Sequence, residues 1–392
     1  MEAAPCSVRS FSHLSATMST DSRTRAWVEV DAAALRRNLQ RVRELVGSGT
    51  GLLPIVKANG YGLGLSDVVA ALEPDSPWGY GVEAVVEGQT IRSAGVTRPI
   101  LVLSPIPPGE VEPAVAADLR IAVSSIEALR RVVSAANTSG RNAIVHVEVD
   151  TGMGRAGFPA GEVNEWGPAV LAQTGGSVRC EGIFTHFFAA GDLESHTISD
   201  QADRFSRAIT ALEGFSPGGW MVHMCNSAGL LRRPDLSMQL VRPGIFLYGG
   251  RTWLGLPQAE PVVAVRARVV LARDISAGTT AGYGATYRAK RRERWATLGI
   301  GYGDGIPRAL GNGGAVLVRG RRVPIIGRIS MGMIVVDITS LPEGSVEVGE
   351  EVTLIGEDLG ERISVDEVAQ ISGSISHEVL TRLSPRLPRV WL

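Results

Sequence analysis

Residues 51–64 read GLLPIVKANGYGLG. Lys57 closes an apolar run, and a glycine-rich turn carrying Tyr61 follows. Lys57 and Lys290 are the only lysines among 39 basic residues, and the rest are arginine. A guanidinium supplies charge but keeps its proton, so it is no amine nucleophile. A lysine at the end of a buried strand can lose its proton and attack a carbonyl. The plainer reading of Lys57 is a side chain snorkelling at a strand edge. What surrounds it in the fold decides between the two.

The elements that would position it repeat along the chain. After WVEV comes DAAALRRNLQRVRELV, with Asp31 as N-cap and Ala34, Leu35, Leu39, Val42 and Leu45 at helical spacing. Eight apolar runs read as buried strands: LLPIVK, WGYGV, PILVL, RIAV, AIVHVEV, CEGIFTH, WMVHM and MQLV. Helix-length segments such as SSIEALRRVVSAA and DQADRFSRAITAL lie between most of them. This alternation predicts a parallel (β/α)8 TIM-type barrel. The doubly wound alternative lacks a GxGxxG fingerprint after its first strand. Beyond about Pro261 the runs VVAVRARVVLARDI, AVLVRG, RRVPIIG and MIVVDI are β-branched and separated by Gly/Pro turns. They predict a C-terminal mostly-β domain, interrupted by one short helix at SVDEVAQIS. The expected limits are a disordered tail over 1–24, a barrel over 25–255 and a β domain over 256–392.

Chemistry in such a barrel sits at the C-terminal ends of the strands. Lys57 ends the first. Glu148, Asp150 and Arg155 follow the fifth, in HVEVDTGMGRAGF, and His186 ends the sixth. Asn226 and Ser227 follow the seventh, and Arg242, Gly244 and Ile245 the eighth. The loops after strands seven and eight are the usual phosphate site, and small residues, a hydroxyl and backbone N–H groups suit one. Taken singly each residue has a plain reading: His186 a core histidine, DTGMGR a turn, Ser227 and Gly244 helix caps. An amine, a phosphate cradle and two arginines at one rim together point to pyridoxal phosphate.

The bulk numbers fit. The chain has 392 residues, 20% charged and 44% hydrophobic, with formal net charge -1. That is an ordinary globular profile with no sign of a nucleic-acid or membrane-surface partner. Cys6, Cys180 and Cys225 are too scattered for a disulfide framework or metal cluster, which suggests a reducing, cytoplasmic setting. No apolar run reaches bilayer-spanning length.

From Trp27 to Leu392 the motifs resemble those of bacterial alanine racemase, a fold-type III pyridoxal phosphate family. VKANGYGLG resembles its cofactor-lysine motif and DTGMGRAGF its arginine motif. THF, NSAG, VRPGI, GYGATY, GYGDGIPR, GRISM and RLPRV follow in the family's order. The resemblance implies interconversion of L- and D-alanine, supplying D-alanine for peptidoglycan, by a homodimer with shared sites. Lys57 would hold the cofactor and act as base on one substrate face, with Tyr283 of the partner subunit as base on the other. Arg242 would meet the pyridine nitrogen, and Arg155 the phenolic oxygen and substrate carboxylate. His186 would bond that tyrosine, and Tyr61, Ser227, Gly244 and Ile245 would bind phosphate, beside Asn226. The Met331 backbone N–H would bind the substrate carboxylate and Tyr302 would line the entrance.

Four positions depart from the family pattern: Leu63 in place of histidine, Gly332 in place of aspartate, His377 in place of a phosphate-contacting tyrosine, and Glu148 in place of a lysine that becomes carbamylated. Glu148 is expected to face inward and to supply as a plain carboxylate the anion that orients Arg155, which would lower its pKa. Two departures touch the entrance, so a racemase of the same fold with a broader substrate range is the alternative.

Overall fold

A computed structural model describes residues 23–192, 195–215, 219–252 and 255–392. The expected disordered tail falls almost wholly outside the described residues.

Asp31 caps the first helix, Ala32–Val46, by accepting the N–H of Ala34 at 2.7 Å. Ala34, Leu35, Leu39 and Val42 are buried, while Leu45 is exposed and its neighbour Val46 takes the core-facing position of the last turn. Strand Ala26–Val30 precedes this helix but lies outside the barrel. It pairs antiparallel with Val263–Ile275 and parallel with Arg389–Trp391, burying Trp27.

The barrel strands are Gly51–Leu52, Tyr80–Val82, Ile100–Val102, Arg120–Val123, Ala143–Asp150, Val178–Phe184, Met221–His223 and Leu240–Val241. The pairings among them are parallel. The ring closes at both ends of the series. Val56 N–H donates to Gly81 O at 2.9 Å, Leu53 N–H to Val241 O at 2.9 Å and Arg242 N–H to Cys225 O at 2.9 Å. Closure matters because it leaves no open edge and brings every strand's C-terminal end to one rim.

The β domain is a second closed unit. Strands 263–275, 293–298, 334–337, 321–326, 315–318 and 351–358 pair antiparallel in that order, and the last returns to the first. Two helices follow, Val365–Ile371 at the expected place and Ser376–Thr381. Buried Asp304 holds the domain to the chain's start, accepting from Arg25 and Arg386 at 2.8 Å each. Among the described residues no helix is long and apolar enough to cross a membrane.

The turn after Lys57 joins the two units. Ala58, Asn59, Gly60, Tyr61 and Gly62 all have positive φ. At Gly62 a Cβ would sit 2.5 Å from the carbonyl oxygen of Leu380, and the Gly62 carbonyl accepts from Arg389 Nη2 at 2.6 Å. Gly62→Ala should therefore cost about 1–3 kcal/mol of stability through strain and lost contact. A lower urea midpoint together with weaker retention of pyridoxal phosphate would be the measured result.

Candidate active site

The eight strand ends surround a cavity of about 450 Å³. Its wall includes Lys57, Tyr61, Glu148, Arg155, His186, Asn226, Ser227, Arg242, Gly244, Ile245 and His377. Those residues, scattered over more than three hundred positions, are thus gathered at one rim. Tyr283, Tyr302 and Met331 are not in this wall; they lie exposed on the β domain. Of the other departures, Leu63 is fully buried in the core, and the Gly332 carbonyl accepts from Arg25 Nη1 at 3.3 Å.

The loops after strands seven and eight are locked to each other. Asn226 caps helix Ser227–Arg232 through Gly229 N–H at 3.0 Å. The Ser227 hydroxyl accepts the N–H of Gly244 at 2.8 Å. A Cβ at Gly244 would meet the Tyr61 hydroxyl at 2.5 Å, so only glycine lets backbone and phenol approach this closely. Tyr61 stacks on Tyr248, and the His377 ring tilts against its other side at 6.0 Å. Burial, and then the charge of Glu83, raise the Tyr61 pKa, which keeps its phenol a neutral donor. Hydroxyls and a glycine backbone in this corner suit a phosphate.

Arg242 lies on the floor, wholly buried, and burial lowers its pKa to about 10. Its Nη2 donates to Thr185 O at 2.7 Å, and the guanidinium stacks over Phe184. Nη1 lies 2.8 Å from Nδ1 of His223. Arginine only donates, so that Nδ1 accepts and the His223 proton sits on Nε2. His223 Nε2–H then donates to His146 Nδ1 at 2.9 Å, and His146 Nε2–H to Glu181 at 3.2 Å. Burial lowers the pKa of both rings, so they stay neutral and the order of donors holds. Burial opposes ionisation of Glu181 too, but the hydrogen bonds from His146 and Arg179, with Arg120, outweigh it and hold the carboxyl at about 2.

Glu148 is buried and faces inward, accepting from Ser124 at 3.0 Å. Its pKa is raised, not lowered: desolvation exceeds the pull of Ser124, Arg155 and Arg242. No ion pair joins Glu148 to Arg155 within the described residues, since Arg155 stands exposed at the mouth. Sequence reasoning passed over Glu83, whose Oε2 lies 2.8 Å from Lys57 Nζ, and the Glu181–His146–His223 chain behind Arg242. The only trace of that chain in the sequence is Gly182, where a Cβ would collide with His146. Among the described residues no group of side chains has the makings of a metal site, and Cys180 and Cys225 are free.

An amine at the mouth, a phosphate corner and a buried guanidinium opposite it, all in a parallel barrel, define a pyridoxal phosphate enzyme of the barrel type. Residues 30–252 match the alanine racemase N-terminal domain and residues 262–391 the C-terminal domain. A curated alanine racemase of Syntrophobacter fumaroxidans is 37% identical, over 90% of this chain and 94% of its own. The structure of alanine racemase from Streptomyces coelicolor A3(2) superposes with TM-score 0.89 at 31% identity, covering 94% and 98% of the two chains. That from Bartonella henselae, with covalently bound pyridoxal phosphate, does so at 0.86 and 28%, covering 94% and 100%. The chain belongs to the alanine racemase family.

The buried rings give a stability signature. His186 has its pKa lowered from 6.5 to about 3, first by burial and then by Arg242, Arg155 and Lys57. An unfolded chain protonates that ring near 6.5, so the stability gained by keeping it neutral is complete above 6.5 and is lost as pH falls toward 3. Urea midpoints of the wild type should drop across this window, and His186→Asn should flatten part of the slope.

Proposed function

We propose that this protein interconverts L-alanine and D-alanine, with pyridoxal phosphate as cofactor, in a homodimer whose two sites are each built from both chains. The reading rests on one observation above all. Lys57, Arg242 and the phosphate corner face one cavity, while Tyr283 is 68% exposed and is not part of its own chain's cavity wall. Racemisation needs a proton acceptor on one face of the α-carbon and a donor on the other. One barrel rim offers only the first.

The residues divide the work as follows. Tyr61, Ser227 and the backbone of Gly244 and Ile245 would hold the phosphate, beside Asn226 and His377. Arg242 would donate to the pyridine nitrogen without giving up its proton. Pyridoxal phosphate, when bound, supplies an electron-withdrawing system that acidifies the C–H beside an amine. Arg155 would bind the substrate carboxylate, and Glu148 would stand behind it as a supporting charge. The Met331 N–H and Tyr302 of the partner subunit would complete the carboxylate site and entrance. Lys57 Nζ would take a proton on one face and the hydroxyl of Tyr283 of the partner subunit would give one on the other. His186 would accept from that phenol. We further place the enzyme in the cytoplasm, in D-alanine supply for peptidoglycan.

Lys57→Ala and Tyr283→Phe chains should each lose about 10²–10⁴-fold in kcat. Mixed and allowed to exchange subunits, they should recover activity, because one of the two hybrid sites carries both bases. No recovery after verified exchange would rule out a base supplied by the second chain.

His377 in the cavity wall favours attention to a second reading, a racemase of broader range. Rates on alanine, serine and lysine measured side by side separate the two. Alanine should exceed the others, and comparable rates would favour the broader enzyme.

A further inference from the structure

The contact between Lys57 and Glu83 has no part in the roles given above. Nζ of Lys57 lies 2.8 Å from Oε2 of Glu83. The two residues end neighbouring barrel strands, joined where Val56 N–H donates to Gly81 O. A third side chain ties their loops together. Glu87 accepts the N–H of Asn59 at 3.1 Å on one carboxylate oxygen, and those of Glu83 and Ala84 at 3.1 and 3.3 Å on the other. An ordinary exposed ion pair must order two long chains against water and gains little. Here the backbones carrying both charges are already clamped, and both side chains line the cavity described above.

We propose that Glu83 is a positioning residue for the Lys57 amine: its carboxylate aims Nζ across the cavity mouth and stabilises the ammonium formed when Nζ takes a proton from substrate carbon. The inference deepens the racemase reading and rests on it. In that step the C–H electron pair stays with carbon, the proton joins the Nζ lone pair, and Nζ goes from neutral to positive. Glu83 binds no proton at any stage; it meets the new charge at contact distance. Of the other ionisable groups lining the cavity with Lys57, His186 and His377 feel its charge and Arg155 draws on Glu83, while Arg242 and Tyr61 carry no negative charge and Glu148 is hydrogen-bonded to Ser124 and held above the ordinary carboxylate range by burial. Glu83 itself is held below the ordinary carboxylate range, first by the Lys57 hydrogen bond and then by Ser104 and Arg155 against burial, so it is charged near neutral pH.

Two measurements test this. In the full-length chain stripped of pyridoxal phosphate, acetic anhydride acylates both lysines, and peptide mass spectrometry reads Lys57 against Lys290 as internal standard. The Lys57 to Lys290 ratio should rise about two- to fivefold in Glu83→Gln, the size set by a partly exposed pair, and Glu83→Asp should fall between. In the holoenzyme, Glu83→Gln should enlarge the substrate deuterium isotope effect on kcat for one alanine enantiomer only, because one face alone uses Lys57. An unchanged acylation ratio overturns the proposal whatever the holoenzyme does, and assigns Glu83 to Arg155 if activity falls. A raised ratio with isotope effects that change equally for both enantiomers overturns the base role. A wild type that binds pyridoxal phosphate but does not racemise alanine overturns the racemase reading, and the base role with it, while the acylation ratio still decides the contact.

Discussion

A fully buried positive charge governs the architecture of this barrel. Moving a guanidinium from water into a protein interior costs several kcal/mol unless its donors are satisfied. Arg242 meets that cost with the carbonyl oxygens of Thr185 and Met224, the ring nitrogen of His223 and the face of Phe184. Every one of those groups must be in place before the charge can be. His223 can accept at Nδ1 because its own proton sits on Nε2, where it is donated to His146, and His146 in turn donates its Nε2–H to Glu181. The line ends at a carboxylate tied to Arg120 and Arg179 near the protein surface. The guanidinium on the floor of the cavity is therefore linked through two neutral rings to a carboxylate on strand Val178–Phe184.

This arrangement explains why the layer beneath the site is built on strands. Neighbouring parallel strands place inward-facing residues in layers. His146 is in register with Gly182, and Phe184 with His223, so the rings and the arginine's aromatic support occupy adjacent positions of one interior. Packing at that density holds rotamers within narrow limits. The softer functions sit higher, on the rim, where Arg155 and Lys57 retain solvent contact.

Much of the frame was readable in advance. Eight apolar runs separated by amphipathic segments describe a parallel barrel because burial on both faces demands continuous β-branched strands. The gathering of Lys57, His186, Asn226, Ser227, Arg242 and Gly244 at one rim follows from their positions at strand ends. Three things were not readable. Strand Ala26–Val30 looks like any barrel strand, yet pairs with a segment more than two hundred residues on. Glu148 was expected to ionise more easily beside Arg155, but the depth of its burial reverses the direction. Glu83 and Glu181 look like any surface glutamates, since their importance lies wholly in what they touch.

The sequence alone determined the element order, the two-part organisation and the placement of one of only two lysines at the end of the first barrel strand, because periodicity and residue type are local properties. It also carried the family's motifs, which are local strings. Only the tertiary structure decided which polar residues meet: Lys57 with Glu83, and Glu181 through two histidines with Arg242. It also decided that Tyr283, Tyr302 and Met331 lie exposed, outside their own chain's cavity wall. Those outcomes depend on barrel closure and strand register, and register is settled by the packing of the whole core, which no local stretch of residues contains.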